Sequence, residues 1–138
     1  MPGFADEDEL YRYIGGLFET ALTDPELEPA LRATGLVLRL QCTDPDSALV
    51  IDLPGGKVWR GADPGAPEAA ATMTMATETA NAYWQGTVNL TFAMARGTVT
   101  VDGTVTRLLQ LAPLSKRLFP AYVEQLRADG RDDLLVEN

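Results

Sequence analysis

The side chains that could do acid–base chemistry in this chain are carboxylates and tyrosines, because its 138 residues include no histidine. The lack of histidine excludes Ser-His-Asp and Cys-His catalysis and metal sites built on imidazole. A buried carboxylate or phenol could still act as a general acid or base. The candidates for that role are Asp52, Glu78, Tyr83, Asp102 and Tyr122. Because these acids form no closely spaced pair, the sequence favours binding over catalysis.

Cysteine and glycine residues point to no further chemistry. Cys42 is the only cysteine, so no disulfide can form within the chain, and we expect a buried small hydrophobic residue. The stretch LPGGKV at 53–58 is too short for a phosphate-binding loop and predicts a hairpin turn. The acidic N-terminal stretch MPGFADEDEL lacks the apolar core of a secretory signal. Together with the lone cysteine, this predicts a cytoplasmic protein.

The charge of the chain is negative overall but unevenly distributed. The formal net charge is −9, with eight acids and one base in residues 1–30, but four bases and one acid in residues 104–128. An acidic chain repels phosphate backbones, so we expect no nucleic-acid partner. The basic stretch could make transient contact with an anionic membrane surface, or it could be a solvated helix face. No apolar run is long enough to span a membrane.

The first half of the chain alternates between helical and strand periodicity. Apolar residues spaced by three and four predict a helix over 7–22, and a shorter helix follows over 24–33. Alternating apolar residues then predict strands at 36–42, 48–53 and 57–61. Turn residues separate these strands, so they are expected to form an antiparallel meander.

The second half is expected to add two strands and further helices. The elements are a strand at 71–76, a helix capped by Thr77 and ended by Gly86, a strand at 98–103, and helices at 104–112 and 114–128. Pro113 and Pro120 are the reason for dividing the last helical region. This order of elements predicts an α+β fold whose helices cover one face of a mainly antiparallel five-stranded sheet.

The stretch VNLTFAMARGTVTVDG at 88–103 is compatible with two structures. Its alternating apolar residues are typical of a half-buried strand. However, Asn89 could cap a short helix, and Gly97 could end it.

The stretch TMTMATETANAYWQGTVNLTFAMARGTVTVDG at 72–103 resembles the sterol carrier protein family, also called non-specific lipid-transfer proteins. The family carries an alternating strand, an acidic-capped helix ending in glycine, a short helix ending in glycine, and a strand ending in glycine. The counterparts are Thr74, Met75, Thr77, Glu78, Gly86, Asn89, Gly97 and Gly103. The resemblance covers about residues 36–112 and favours a short helix at 90–96. The family usually has proline after the asparagine, where this chain has Leu90.

The resemblance implies a stand-alone, bacterial-type member, with one lipid-binding domain over residues 1–138 and an apolar tunnel between helices and sheet. The family binds sterols, fatty acids or their coenzyme A esters, so the expected partner is a hydrophobic small molecule or lipid. No cofactor and no metal is expected. The segment 90–96 becomes the lid of the pocket. The residues expected to line the tunnel are Tyr83, Trp84, Phe92, Met94, Leu108, Leu109 and Ala112.

Two other functions remain open at this point. One is an enzyme that acts on a lipid-like or polyketide-like substrate in the same pocket. The other is an interaction module that buries its apolar groove against another chain, or forms a homodimer through an exposed sheet edge.

Overall fold

Alternating apolar residues place one face of a five-stranded sheet against the helices. The structure, a computed structural model, describes residues 2–136. Its strands are β1 (Val37–Thr43), β2 (Ser47–Asp52), β3 (Lys57–Arg60), β4 (Ala71–Ala76) and β5 (Thr100–Gly103). They lie in the order β3-β2-β1-β4-β5. In β1, for example, Leu38, Leu40 and Cys42 are buried under the helices, whereas the residues between them are only half-buried.

The sheet is mixed because β1 and β4 are parallel, with Leu40 opposite Met73. The other three pairs are antiparallel, and β1, β2 and β3 form the predicted meander. The sheet is thus mainly antiparallel, as expected, and the β1–β4 pair is the one departure from an antiparallel arrangement. Hydrogen bonds from Gly61 N to Ala48 O (2.9 Å) and from Ala70 N to Val37 O (2.8 Å) hold the ends of the connection that brings β4 alongside β1.

In the sequence, helices precede β1, separate β4 from β5, and follow β5. Residues 7–21 form one continuous helical segment, made of α1 (Glu7–Leu10), a π-helical turn (Tyr11–Gly15) and α2 (Gly16–Ala21). The later helices are α3 (Glu28–Ala33), α4 (Thr77–Trp84), α5 (Leu90–Arg96), α6 (Val105–Ala128) and a 3-10 turn (Asp132–Leu134). Within residues 2–136, no helix combines the length and the apolar character needed to cross a bilayer.

The stretch at 88–103 forms a helix followed by a strand, as the glycine and asparagine positions predict. The Asn89 side chain accepts a hydrogen bond from the Phe92 amide at 2.9 Å and caps α5. Gly97 ends α5 in the left-handed conformation, with φ of 77°. The strand interpretation of residues 88–95 is therefore excluded.

The C-terminal region forms one helix of 24 residues, which corrects the predicted break. Pro113 and Pro120 both lie inside α6 and are exposed. Proline has no amide hydrogen, so the helical hydrogen bonds to the carbonyls of Leu109 and Lys116 cannot form. A continuous buried stripe on the opposite side of α6 packs across both positions, and its burial offsets the loss. This stripe consists of Leu108, Leu111, Ser115, Leu118, Tyr122 and Leu126.

Thr77 does not cap α4, which is a second correction. The helix begins at Thr77, and Ala76 occupies the cap position without a side-chain hydrogen bond. The Thr77 hydroxyl instead donates to the carbonyl of Asp44 at 2.6 Å. This bond ties the start of α4 to the turn between β1 and β2.

Candidate functional site

An open groove lies between α6 and the segment that joins α4 to α5. Its cavity volume is about 510 Å³, which is within the range of small-molecule sites. The residues along it are Tyr83, Gly86, Thr87, Val88, Asn89, Leu90, Thr91, Leu109, Ala112, Lys116 and Phe119. Within residues 2–136, the groove lining contains no acid, and its one base is Lys116.

Two local features of the sequence give the groove its shape. Gly86 ends α4 with φ of 81°, and a Cβ at this position would lie 3.1 Å from Cδ2 of Phe119. The glycine therefore permits both the turn and the close approach of α6. On the other side, the Asn89 cap fixes where α5 begins and so where Leu90 enters the groove.

Helix α6 contributes one stripe of residues to the groove. Leu109, Ala112, Lys116 and Phe119 recur at spacings of three and four residues, so they lie on one face of the helix. This stripe is adjacent to the buried stripe that packs against the core. One helix thus closes the core and lines the groove at the same time.

A second, internal cavity lies between the helices and the sheet. Its volume is about 30 Å³, enough for about one or two water molecules by size. Its walls are Ile14, Phe18, Leu38, Leu40, Ile51, Met73, Met75, Tyr83 and Trp84. Because these walls offer almost no polar partner, we expect the cavity to be dry. The expected apolar tunnel is present only as this small cavity.

Tyr83 lines both the groove and the internal cavity and therefore separates them. Its ring packs edge to face against Trp84 and Phe119, with ring centroids 5.2 and 5.7 Å away. Phe18 contacts Trp84 in the same way at 5.2 Å and extends this aromatic cluster into the core. Burial raises the pKa of the Tyr83 hydroxyl, and a hydrogen bond with Ser115 partly opposes that rise.

The residues expected to line the tunnel fall into three groups. Tyr83, Leu109 and Ala112 lie together in the groove. Trp84 borders the internal cavity, while Leu108, with 3% of its surface exposed, is part of the core. Phe92 is 60% exposed and lines a neighbouring recess, and Met94 is half-buried against the core.

The sequence interpretation missed several residues of the groove. These are Val88, Lys116 and Phe119, together with the polar residues of the 86–91 connection. Lys116 and Phe119 continue the spacing of Leu109 and Ala112 along α6. That spacing indicates both residues, but a helix that ends before Pro113 places them on a separate element.

The candidate acids and bases do not assemble into a catalytic site. Asp52 accepts a hydrogen bond from the Gly55 amide at 2.9 Å in the β2–β3 turn, and Asp102 is exposed on β5. The Tyr122 hydroxyl donates to Asn81 Oδ1 at 2.7 Å inside the core, where burial raises its pKa. Glu78 lies in the first turn of α4. Of the five candidates, Tyr83 alone borders the groove.

The part of the chain that the structure describes contains no set of side chains that could bind a metal ion. Residues 2–136 contain no group of three or more cysteine, aspartate or glutamate side chains placed to hold an ion. Cys42 is fully buried, and burial raises the pKa of its thiol to about 12. Its thiol therefore stays protonated and unreactive.

The fold and the groove define an α+β domain with a lipid-sized recess between its helices. The model of the SCP-2 sterol transfer family matches residues 17–116. The chain therefore belongs to the SCP-2 sterol transfer family. No curated protein sequence matches it.

Solved structures show the same fold. The sterol carrier protein domain 2 of Helicoverpa armigera is 18% identical, with a TM-score of 0.68 over 87% of this chain and 95% of that one. Sterol carrier protein 2 of Yarrowia lipolytica is 15% identical, with a TM-score of 0.60 over 80% and 96%. Sterol carrier protein-2 of Aedes aegypti, solved in complex with the C16 fatty acid palmitate, is 28% identical, with a TM-score of 0.57 over 79% and 93%.

Proposed function

We propose that this protein binds and carries a single-chain lipid, a fatty acid or a related acyl compound, in the groove beside α6. The observation that carries the proposal is the joint lining of the groove by Tyr83, Leu109, Ala112 and Phe119. These side chains offer apolar and aromatic surface without an acid that would repel a carboxylate. The palmitate complex of the Aedes aegypti relative supports the same ligand class.

The energetics favour a long acyl tail. Burying one methylene contributes about 0.8 kcal/mol, whereas association costs at least about 4 kcal/mol. Micromolar binding corresponds to about 8 kcal/mol, so a tail would need to bury about fifteen methylenes. An open groove leaves one side of a tail in water. We therefore propose that the tail continues past Tyr83 into the internal cavity, which widens as it enters.

Lys116 gives the groove one place for an acidic head group. Within residues 2–136 it forms no ion pair and no hydrogen bond. A carboxylate at the open end of the groove would gain a partner there without displacing another. The proposed roles are therefore Lys116 for the head group and the aromatic cluster for the tail.

Native mass spectrometry combined with titration of a fluorescent fatty acid tests this function. The expected result is one bound acyl molecule per chain and saturable binding at micromolar concentration or below. Absence of both retained lipid and saturable binding would contradict the proposal. A sterol probe in the same titration determines whether the ligand class is broader.

Two further expectations belong to this proposal. A cytoplasmic location agrees with a single cysteine that is buried and free, and cell fractionation tests it. A homodimer could form through β3 or β5, the two edge strands of the sheet. The same native mass spectrum reports the number of chains.

A further inference from the structure

Two hydroxyl groups of the groove wall already donate their hydrogens to other protein atoms. Thr87 Oγ1 donates to the carbonyl of Ala82 at 2.9 Å. The Tyr83 hydroxyl is hydrogen-bonded with Ser115, whose own hydroxyl donates to the carbonyl of Leu111 at 3.1 Å. Because a hydroxyl has one hydrogen and two lone pairs, Tyr83 is the donor in its pair with Ser115. Within residues 2–136, no donor bonds to the oxygen of Thr87 or Tyr83, so both can still accept.

Asn89 supplies the complementary group, a hydrogen-bond donor. Its Oδ1 accepts from the Phe92 amide at 2.9 Å, and this bond fixes the orientation of the side-chain amide. Its Nδ2 donates to no acceptor in the part of the chain that the structure describes. Like Thr87, Asn89 lines both the groove and the recess next to it. The groove therefore offers two acceptors and one donor beside its apolar surface.

The Tyr83 hydroxyl lies near the proposed contact for the head group. Its partner Ser115 directly precedes Lys116 in α6. Ala112 and Phe119, which line the groove, lie three residues before and four residues after Ser115. The hydroxyl is therefore beside the stripe of α6 that lines the groove, at the level of Lys116. A chain whose carboxylate pairs with Lys116 would pass this hydroxyl with its carboxyl-proximal half.

An unsubstituted acyl chain cannot satisfy these polar groups. Water can bond to them while the groove is open. A methylene that covers them displaces this water and leaves them without a partner, which costs free energy. A hydroxyl on the chain instead donates to Tyr83 or Thr87 and can accept from Asn89. The hydrogen bonds lost to water are then replaced.

We propose that the groove selects acyl chains that carry a hydroxyl group in their carboxyl-proximal half, with Tyr83 and Thr87 as the acceptors. This inference rests on the proposed carrier function and names the subclass of its ligand. It differs in sign from the expectation for a purely apolar tunnel. In such a tunnel a buried hydroxyl finds no partner, so hydroxylation weakens binding.

Competition against a bound fluorescent fatty acid, with the full chain, tests the proposal. Palmitate is compared with 3-, 9- and 16-hydroxyhexadecanoic acid, which have the same chain length. The expected result is that the 3- or the 9-hydroxy acid binds at least about threefold more tightly than palmitate. The 16-hydroxy acid should gain nothing. Binding of both internally hydroxylated acids that equals or falls below that of palmitate would overturn the proposal.

Variants identify the groups that recognise the hydroxyl. Tyr83→Phe and Thr87→Val each remove one acceptor and keep the approximate shape of the side chain. In at least one of them, the ratio of the two affinities, hydroxylated acid to palmitate, should fall to about one. Tyr11→Phe is the matched control, because the Tyr11 hydroxyl donates to the carbonyl of Val58 beside β3, away from the groove. A ratio that persists in both groove variants, or that falls equally in Tyr11→Phe, would contradict these two acceptors.

The same titrations distinguish failure of this inference from failure of the carrier function. Saturable binding of palmitate without any preference for a hydroxylated chain overturns the inference and leaves the carrier function intact. If none of the four acids binds, the proposed function fails and the inference fails with it. A preference for the 16-hydroxy acid alone would place the polar contact at the far end of the tail and would overturn the assignment to Tyr83 and Thr87.

Discussion

The rings of Tyr83 and Phe119 pack edge to face, with centroids 5.7 Å apart and planes at 85° to each other. Phe119 stands on α6 and Tyr83 on α4, so this contact joins the two helices that border the groove. Because Tyr83 also lines the internal cavity, the position of one ring decides whether the two spaces are separate or continuous.

Replacing Tyr83 by alanine should join the groove to the internal cavity. We expect the variant to bind long acyl chains more tightly relative to short ones, because the tail no longer has to displace a ring. Loss of a half-buried ring should also reduce the free energy of unfolding by about 2–3 kcal/mol. Titration with fatty acids of about 10 to 18 carbons measures the first effect, and urea denaturation the second.

Tyr83→Phe is the control for this substitution, since it keeps the ring and removes the hydroxyl. Its dependence on chain length should match that of the unsubstituted protein. If Tyr83→Ala also shows the same dependence, the tail does not pass this position.

Lys116→Met should weaken the binding of a fatty acid and leave the binding of the corresponding alcohol unchanged. The methionine keeps the length and the apolar part of the side chain, and the charge is the main change. An exposed ion pair contributes about 0.2–1 kcal/mol, so the affinity should fall by a factor of up to about five. Isothermal titration with palmitate and with hexadecanol measures the difference. Lys57→Met should change neither value, and a parallel loss for both ligands would argue against a head-group contact.

Asn89→Ala should destabilise α5 by about 1 kcal/mol, because it removes the side-chain acceptor for the Phe92 amide. Hydrogen exchange at that amide should become faster, while amides in β1 should be unaffected. Thr91→Ala serves as the comparison, since Thr91 is exposed in the same helix and caps nothing. Similar exchange rates in both variants would show that the cap contributes little to this helix.

Glu9 should contribute stability that depends on pH. Arg131 Nη1 donates a hydrogen bond to Glu9 Oε2 at 2.6 Å, and this bond is the main reason that the pKa of Glu9 lies below 4.5. A lowered pKa in the folded state means that the contribution is present above about pH 4.5 and is lost as the pH falls through the lowered value. Unfolding of Glu9→Gln and of the unsubstituted protein should therefore differ at pH 7, by up to about 1 kcal/mol, and converge at low pH. A constant difference across this range would contradict the assignment.

The sequence contained enough information for most local elements. Asn89 and Gly97 predicted α5 correctly, because a cap and a left-handed glycine are needed at these two positions whatever packs around them. The parallel direction of β4 could not be predicted in this way. Met73 and Met75 alternate identically in a parallel and an antiparallel strand, and the direction depends on the path of the 61–70 connection.

The sequence predicts only part of the groove lining, and Pro113 is the main reason that the remaining residues are not predicted. Proline is generally disfavoured in the interior of a helix. In α6, the burial of the apolar stripe on both sides of Pro113 outweighs that local preference. Tyr83, Leu109 and Ala112 were recognised as apolar residues near helix ends. Lys116 and Phe119 depend on α6 being continuous, which is a property of tertiary packing.

The prolines of α6 have a consequence for the mechanics of the groove wall. A helix that already lacks the hydrogen bonds to the carbonyls of Leu109 and Lys116 loses little more when it bends at these points. Both carbonyls belong to residues that line the groove. We therefore expect the wall to be compliant across its width, so that the ligand sets the width of the groove. Such a wall would discriminate by tail length and head-group charge, and would tolerate branches, rings and unsaturation in the tail.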